Sequence, residues 1–194
     1  MNAPPPIDVR PATADRWPDL APLFSGTPSA RCWCAYWRLS AGAYATASPE
    51  ERRQLLRDRV GREPAPGMIA YVGGEAVGWC SLGPRVGFER LVRSRTIPAI
   101  DDRPVWAIVC FRVKTGHRRR GVARALLEGA VAYARSQGAV GLEAYPVDRG
   151  ERRIRAPDAY VGILRMFDMA GFRRVVATEA RSADLRRWLV RLDL

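Results

Sequence analysis

The chain is short of several things that would point quickly to a chemistry. It has one lysine, Lys114, and one histidine, His117, among 194 residues. No apolar run reaches the roughly 18 residues that a membrane-spanning helix needs. The opening MNAPPPIDVR has neither the cationic start nor the apolar core of a secretory signal. Export and membrane spanning are therefore not expected, and the chain reads as cytoplasmic with no membrane partner. Four cysteines, Cys32, Cys34, Cys80 and Cys110, are few and scattered apart from one C-x-C pair, so free thiols are expected in a reducing compartment. A zinc site around Cys32 and Cys34 would need Cys80 and Cys110 from separate segments, with His117 the only imidazole. No metal is expected.

What the chain has in excess is arginine. Lysine plus arginine number 32 against 20 acidic residues, a formal net charge of +12. Clustered basic side chains neutralise phosphates and release counterions, which would suit nucleic acid. Here the arginines run through every segment, a bias closer to codon composition than to a selected face, and nucleic acid is not expected as a partner. The length suits one domain over residues 1–194 with a core of its own. There is no internal repeat, and the proline-rich tail, residues 1–6, is expected to be extended and mobile.

Ile7 to Arg10 reads as a short strand, and Thr13 to Phe24 as a helix broken in extent by Pro18 and Pro22. In SPEERRQLLRDRVG, Ser48 caps, Pro49 takes the first helical position, Glu51 completes a capping box and Gly61 offers a left-handed stop. Met68 to Val72 and Ala76 to Leu82, separated by Gly73, Gly74 and Glu75, predict a β-hairpin. FERLV has room for one helical turn. Val105 to Val113, β-branched and aromatic, predicts a central strand buried on both faces. From Gly121 to about Gln137 the apolar period becomes helical, and GLEAYPV resumes as a strand. Strand, loop, helix and strand make a crossover unit, so Val105–Val113 and Leu142–Tyr145 should be parallel neighbours. Tyr160 to Ala170 predicts a helix capped by Gly171, and Phe172–Thr178 and Trp188–Leu194 two closing strands. The sum is an α/β fold with a mixed central sheet, antiparallel in its N-terminal half and parallel at its centre, flanked by helices.

The loop VKTGHRRRGVARALL joins the central strand to the long helix. A helix N-terminus presents free backbone N–H groups and the positive end of a dipole, so a phosphate is a natural ligand there, although a solvated basic helix start gives the same letters. Arg118-x-x-Gly121-x-Ala123, preceded by Phe111-x-Val113 on a buried strand, resembles the acetyl-CoA loop of the GNAT acetyltransferase superfamily. MFDMAGF, with Phe167, Ala170, Gly171 and Phe172, resembles that family's last-helix motif. The likeness spans roughly Ile7 to Thr178, with an acetyl-CoA-binding core at about 67–172.

The resemblance implies an acetyl-CoA-dependent N-acetyltransferase acting by direct attack of a primary amine, with acetyl-CoA as co-substrate and a small molecule as the acceptor. It implies that Arg118, Arg119, Arg120, Gly121, Val122, Ala123 and Arg124 hold the pyrophosphate. Phe111 and Val113 would pair with the pantetheine arm, and the Phe111 N–H would face the thioester oxygen as oxyanion donor. Three positions depart from the family. Ala107 stands where many members carry a glutamate base, and Phe167 where many carry a tyrosine acid; Tyr160 replaces a frequent asparagine. A substitute base is sought in Glu143, the only carboxylate of the two central strands, expected one strand across from Ala107. It is either a base or an ion-pair partner for an arginine. Tyr145, on the same face by alternation, either donates to the leaving thiolate or packs.

Trp33, Tyr36 and Trp37 in RCWCAYWR have helical spacing and, with Trp79, are either core or acceptor-binding residues. Arg149, Arg152, Arg153 and Arg155 lie in a loop at the end of a central strand, either over phosphates or in solvent. A homodimer is compatible with the sequence. The acceptor is not readable. Two rival readings stay open: a non-catalytic acyl-CoA-binding module, and a basic nucleic-acid-binding protein.

Overall fold

A computed structural model describes residues 5–25 and 31–194. The first four positions of the expected mobile tail lie outside the described residues. Seven strands make one sheet in the order β1-β2-β3-β4-β5-β7-β6. They are β1 (Ile7–Pro11), β2 (Gly67–Val72), β3 (Glu75–Pro84), β4 (Trp106–Val113), β5 (Gly141–Ala144), β6 (Arg173–Ser182) and β7 (Leu185–Asp193). Every neighbouring pair is antiparallel except β4 with β5, the expected parallel pair. Gly73 and Gly74 turn the β2–β3 hairpin with φ of 58° and 82°, a tight turn for which glycine carries no steric penalty.

Alternation sorts the strands onto two faces. Met68, Ala70, Cys80, Trp106 and Ile108 meet α5 (Val122–Ser136) through Leu126, Leu127 and Ala130. Gly129 inside α5 lets the helix approach β1, since a Cβ there would sit 2.5 Å from Val9 Cγ1. On the opposite face, Ile69, Tyr71 and Trp79 pack against Leu20 of α1 (Trp17–Leu20) and Leu56 and Val60 of α3 (Pro49–Val60). Farther along that face, Ala107, Val109, Tyr145 and Leu189 bury Leu91 of α4 (Glu89–Val92) together with Trp37 and Phe88. β4 is thus covered on both sides from Trp106 to Val109, while Cys110, Arg112 and Val113 are only part-buried. No helix among the described residues is long and apolar enough to cross a membrane.

Several local expectations need correction. The segment after Thr13 breaks into α1 flanked by 3-10 turns, because Pro18 and Pro22 each remove a backbone donor. The Ser48–Glu51 capping box forms, but Gly61 ends α3 at φ −82°, outside the left-handed region. Trp33 to Trp37 is a set of turns, with Trp33 and Cys34 at φ of 46° and 52°, so its helical spacing has no helix behind it. The helix expected from Tyr160 is only α6 (Leu164–Met169), since Ile163 bridges Val147 in extended form. A further short helix, α2 (Ala41–Thr46), is capped by Ser40.

One irregularity positions the site. Ser81 pairs with Cys110 but Leu82 pairs with Ile108, leaving Val109 as an extra residue in β4. A bulge bends its strand and breaks the ladder. Pairing of β4 with β5 accordingly runs only from Trp106 to Ile108, and beyond that point β4 continues toward Val113 without β5.

Candidate active site

The gap that opens beside β4 is a cleft of about 640 Å³. Its floor is Phe111, Arg112 and Val113, one end is the Arg118–Arg124 loop, and its far wall is Ala156 to Met166. At the loop end, Gly121 caps α5 with φ 84° and offers no side-chain acceptor. The first amides of a helix have no intrahelical partner, so those of α5 face the cleft open to a ligand. Arg118, Arg119, Gly121, Val122, Ala123 and Arg124 line this end, whereas Arg120 is exposed and does not. Arg118 Nε donates to the Val113 carbonyl at 3.1 Å, which ties the loop to the end of β4. Arg124 pairs with Glu128 at 2.8 Å on the helix surface.

Midway along the cleft, the Phe111 N–H donates to the Tyr160 carbonyl. Phe111 stacks edge-on with Phe167, which is fully buried against Phe172. A backbone carbonyl thus occupies the place where an incoming acceptor for that N–H would sit.

Glu143 lies directly across from Ala107 in the parallel register, the depth expected of it. It is 1% exposed and does not line the cleft. One oxygen accepts from Arg191 at 2.6 Å; the other accepts from Arg85 at 3.2 Å and from the Tyr145 hydroxyl at 2.8 Å. Arg191 also pairs with Asp101, which holds the Asp101 carboxyl below its ordinary value and raises the Arg191 guanidinium. Burial, then the Glu143 charge, pushes the Tyr145 phenol well up. Glu143 is therefore the centre of a buried ion-pair cluster, with both oxygens engaged.

The sequence profile of the Acetyltransferase (GNAT) family matches residues 31–154. The chain belongs to this family. Among curated proteins no sequence matches it. Solved structures resemble it over nearly its whole length. An N-acetyltransferase from Staphylococcus aureus Mu50 is 14% identical, covers 97% of this chain and 98% of its own, and gives a TM-score of 0.55. The ribosomal-protein-alanine N-acetyltransferase of Brucella melitensis is 21% identical, with 96% and 99% covered and a TM-score of 0.57. The PaiA N-acetyltransferase of Thermoplasma acidophilum, solved in complex with coenzyme A, is 12% identical, with 97% and 99% covered and a TM-score of 0.55. At these identities the structures establish the fold, and acetyl transfer is the chemistry that GNAT membership supports.

The remaining expected residues divide between core and clefts. Trp79 is fully buried, and its Nε1 donates to Cys34 Sγ at 3.0 Å. Trp33 stacks between Trp17 and Phe24. Neither lines a cleft, so these contacts describe packing. Tyr36 is 38% exposed and lines the β4 cleft, while Trp37 faces a second one. The cysteines are free thiols, and a hydrogen bond with Cys110, followed by burial, raises Cys34 well above its ordinary value. Among the described residues no His, Cys, Asp or Glu group is arranged to hold a metal ion. Sequence reasoning missed Tyr44, Ile163 and Met166 in the cleft wall and Arg85 and Arg191 around Glu143; no local pattern marks any of them.

Proposed function

We propose that this GNAT protein transfers acetyl from acetyl-CoA to a primary amine of a small molecule by direct attack, using a core at about 67–172. The observation that carries the reading is the cleft itself. A stretch of β4 with no strand on its β5 side ends at a helix N-terminus without a side-chain cap and with arginines around it, a shape that accepts an extended arm ending in a pyrophosphate. Arg118, Arg119, Gly121, Val122, Ala123 and Arg124 would hold the pyrophosphate, and Phe111 and Val113 the arm. Acetyl-CoA, when bound, supplies the thioester that the amine attacks. The Phe111 N–H then leaves the Tyr160 carbonyl and donates to the oxygen on which charge develops. Glu143 and Tyr145, in this reading, fix the β4–β5 junction.

No carboxylate lines the cleft among the described residues. The only imidazole in its lining, His117, sits beside Arg118 at the phosphate end, so in this reading the acceptor enters as the free base. The test is a thermal-shift titration with acetyl-CoA followed by thiol release across amine classes. A stabilising shift is expected, and kcat/KM should rise about tenfold per pH unit up to the acceptor's own pKa. Absence of a shift at saturating acetyl-CoA overturns the proposal. The occupied Phe111 N–H favours a second reading, a non-catalytic acyl-CoA-binding module, for which acetyl-CoA stabilises the fold and no amine releases thiol.

A further inference from the structure

Behind Tyr36 lies a second cleft of about 690 Å³, lined among others by Trp37, Arg90, Arg93, Arg181 and Arg187. Tyr36 lines both clefts. Tyr160 joins them too, since its carbonyl accepts from Phe111 in the first and its hydroxyl accepts from Arg187 in the second, at 2.9 Å. Tyr36 and Tyr160 thus stand between the two clefts.

Two groups in its wall are incompletely matched among the described residues: Arg187 has hydrogen bonds and lies over the Tyr160 ring but has no counter-charge, and the Trp37 indole N–H has no acceptor. Arg187 is 6% exposed, yet no carboxylate among the described residues is within ion-pair distance of it. Its polar contacts are the Ser182 hydroxyl, at 3.2 Å from Nε and 2.6 Å from Nη2, and the Tyr160 hydroxyl. Its guanidinium lies 5.6 Å from the Trp37 ring centroid. Trp37 is 5% exposed and its Nε1–H has no acceptor among the described residues. A buried charge without a counter-charge and a buried donor without an acceptor are both costly, and both here line one cleft. Arg38 is similarly buried without an acid and its Nε has no acceptor among the described residues, but its Nη2 meets the Pro66 and Leu82 carbonyls and it lines neither cleft. Among the described residues the only acid lining the second cleft is Glu179, 3.9 Å from Arg186 outside it.

We propose that the second cleft is the acceptor site and that it selects amines carrying a carboxylate. Arg187 supplies the charge and a planar set of donors, the Trp37 indole N–H adds a donor, and Arg90, Arg93 and Arg181 make the approach positive. The amine end passes Tyr36 toward Phe111. This rests on the acetyl-transfer reading above.

The test measures binding of product-like probes whose amine and carboxylate are differently spaced: N-acetylglycine, N-acetyl-4-aminobutyrate and N-acetyl-6-aminohexanoate, each with its carboxamide twin. Indole 15N–1H spectra, with the Trp37 signal assigned by Trp37→Phe, report the contact. At least one acid is expected to move that signal and to bind about tenfold or more tighter than its amide. The best spacing distinguishes an α-carboxylate from a distal one. Trp37→Phe, which keeps a ring, and Arg187→Gln are each expected to weaken the acid about fivefold or more while leaving its amide and acetyl-CoA unaffected. Should Arg187→Gln fail to fold, Trp37→Phe carries the test alone. Acids and amides binding alike, or an unmoved Trp37 signal, overturn the carboxylate proposal while acetyl-CoA binding persists. Loss of acetyl-CoA binding in the unaltered protein overturns the reading beneath it.

Discussion

The amide of Phe111 donates to the carbonyl of Tyr160, across the cleft that β4 opens beyond Ile108. An N–H cannot serve that carbonyl and a thioester oxygen with full strength at once. Acetyl-CoA is therefore expected to move the Phe111 amide resonance and to speed hydrogen exchange in residues 148–160, while CoA without the acetyl group moves it less. An unmoved Phe111 signal at saturation would remove this amide from the reaction.

Position, more than charge, separates Arg119 from Arg120. Arg119 lines the cleft and Arg120 does not. Arg119→Ala is expected to weaken acetyl-CoA binding about tenfold, within the range of a charged hydrogen bond, and Arg120→Ala less than about threefold. Calorimetric titration checks the ranking, and equal losses would mean that bulk charge holds the phosphates.

Glu143→Gln should act on stability. It leaves Arg191 and Arg85 buried without their shared counter-charge, and breaking such a pair costs about 3–5 kcal/mol. At roughly 2–4 °C per kcal/mol for a chain of this size, Tm should fall by about 6–20 °C. A variant with unchanged Tm and collapsed kcat would restore Glu143 as the base.

Stability should decline in alkali. Burial raises the Cys80 thiol and the Tyr145 and Tyr160 phenols and pushes Tyr71 to about 12, while a hydrogen bond with Cys110 together with burial raises Cys34. In the unfolded chain thiols ionise near 8.5 and phenols near 10, so above those values the folded state holds protons that the unfolded state has released. Unfolding is then favoured as pH rises. Tm is expected to be flat to about pH 8.5, to fall from there, and to fall more steeply above about pH 10, as scanning calorimetry would record.

Much of the sheet was legible because its signals are local. Val105 to Val113 reveals a buried strand by composition, Gly73–Gly74 reveals its hairpin, and the crossover rule alone placed Glu143 beside Ala107. What could not be read depends on distant register. Arg85 and Arg191 come to Glu143 across 58 and 48 residues. Ile163 gives up helix for a bridge to Val147, and the Ala183–Asp184 turn reaches φ of 48° and 62° without a glycine to announce it. In the phosphate loop the letters sufficed to suggest the site, yet nothing in them distinguished Arg119 from Arg120.

The strand order carries a kinetic consequence. β7 follows every other strand along the chain but sits inside the sheet, between β5 and β6. Until it is made, β5 presents an open edge, Glu143 lacks Arg191, and the wall holding Arg187 does not exist. Vectorial synthesis therefore leaves one sheet edge unfinished, and Glu143 with Arg85 but without Arg191, until the last hairpin adds both the end of the sheet and the β6–β7 wall of the second cleft.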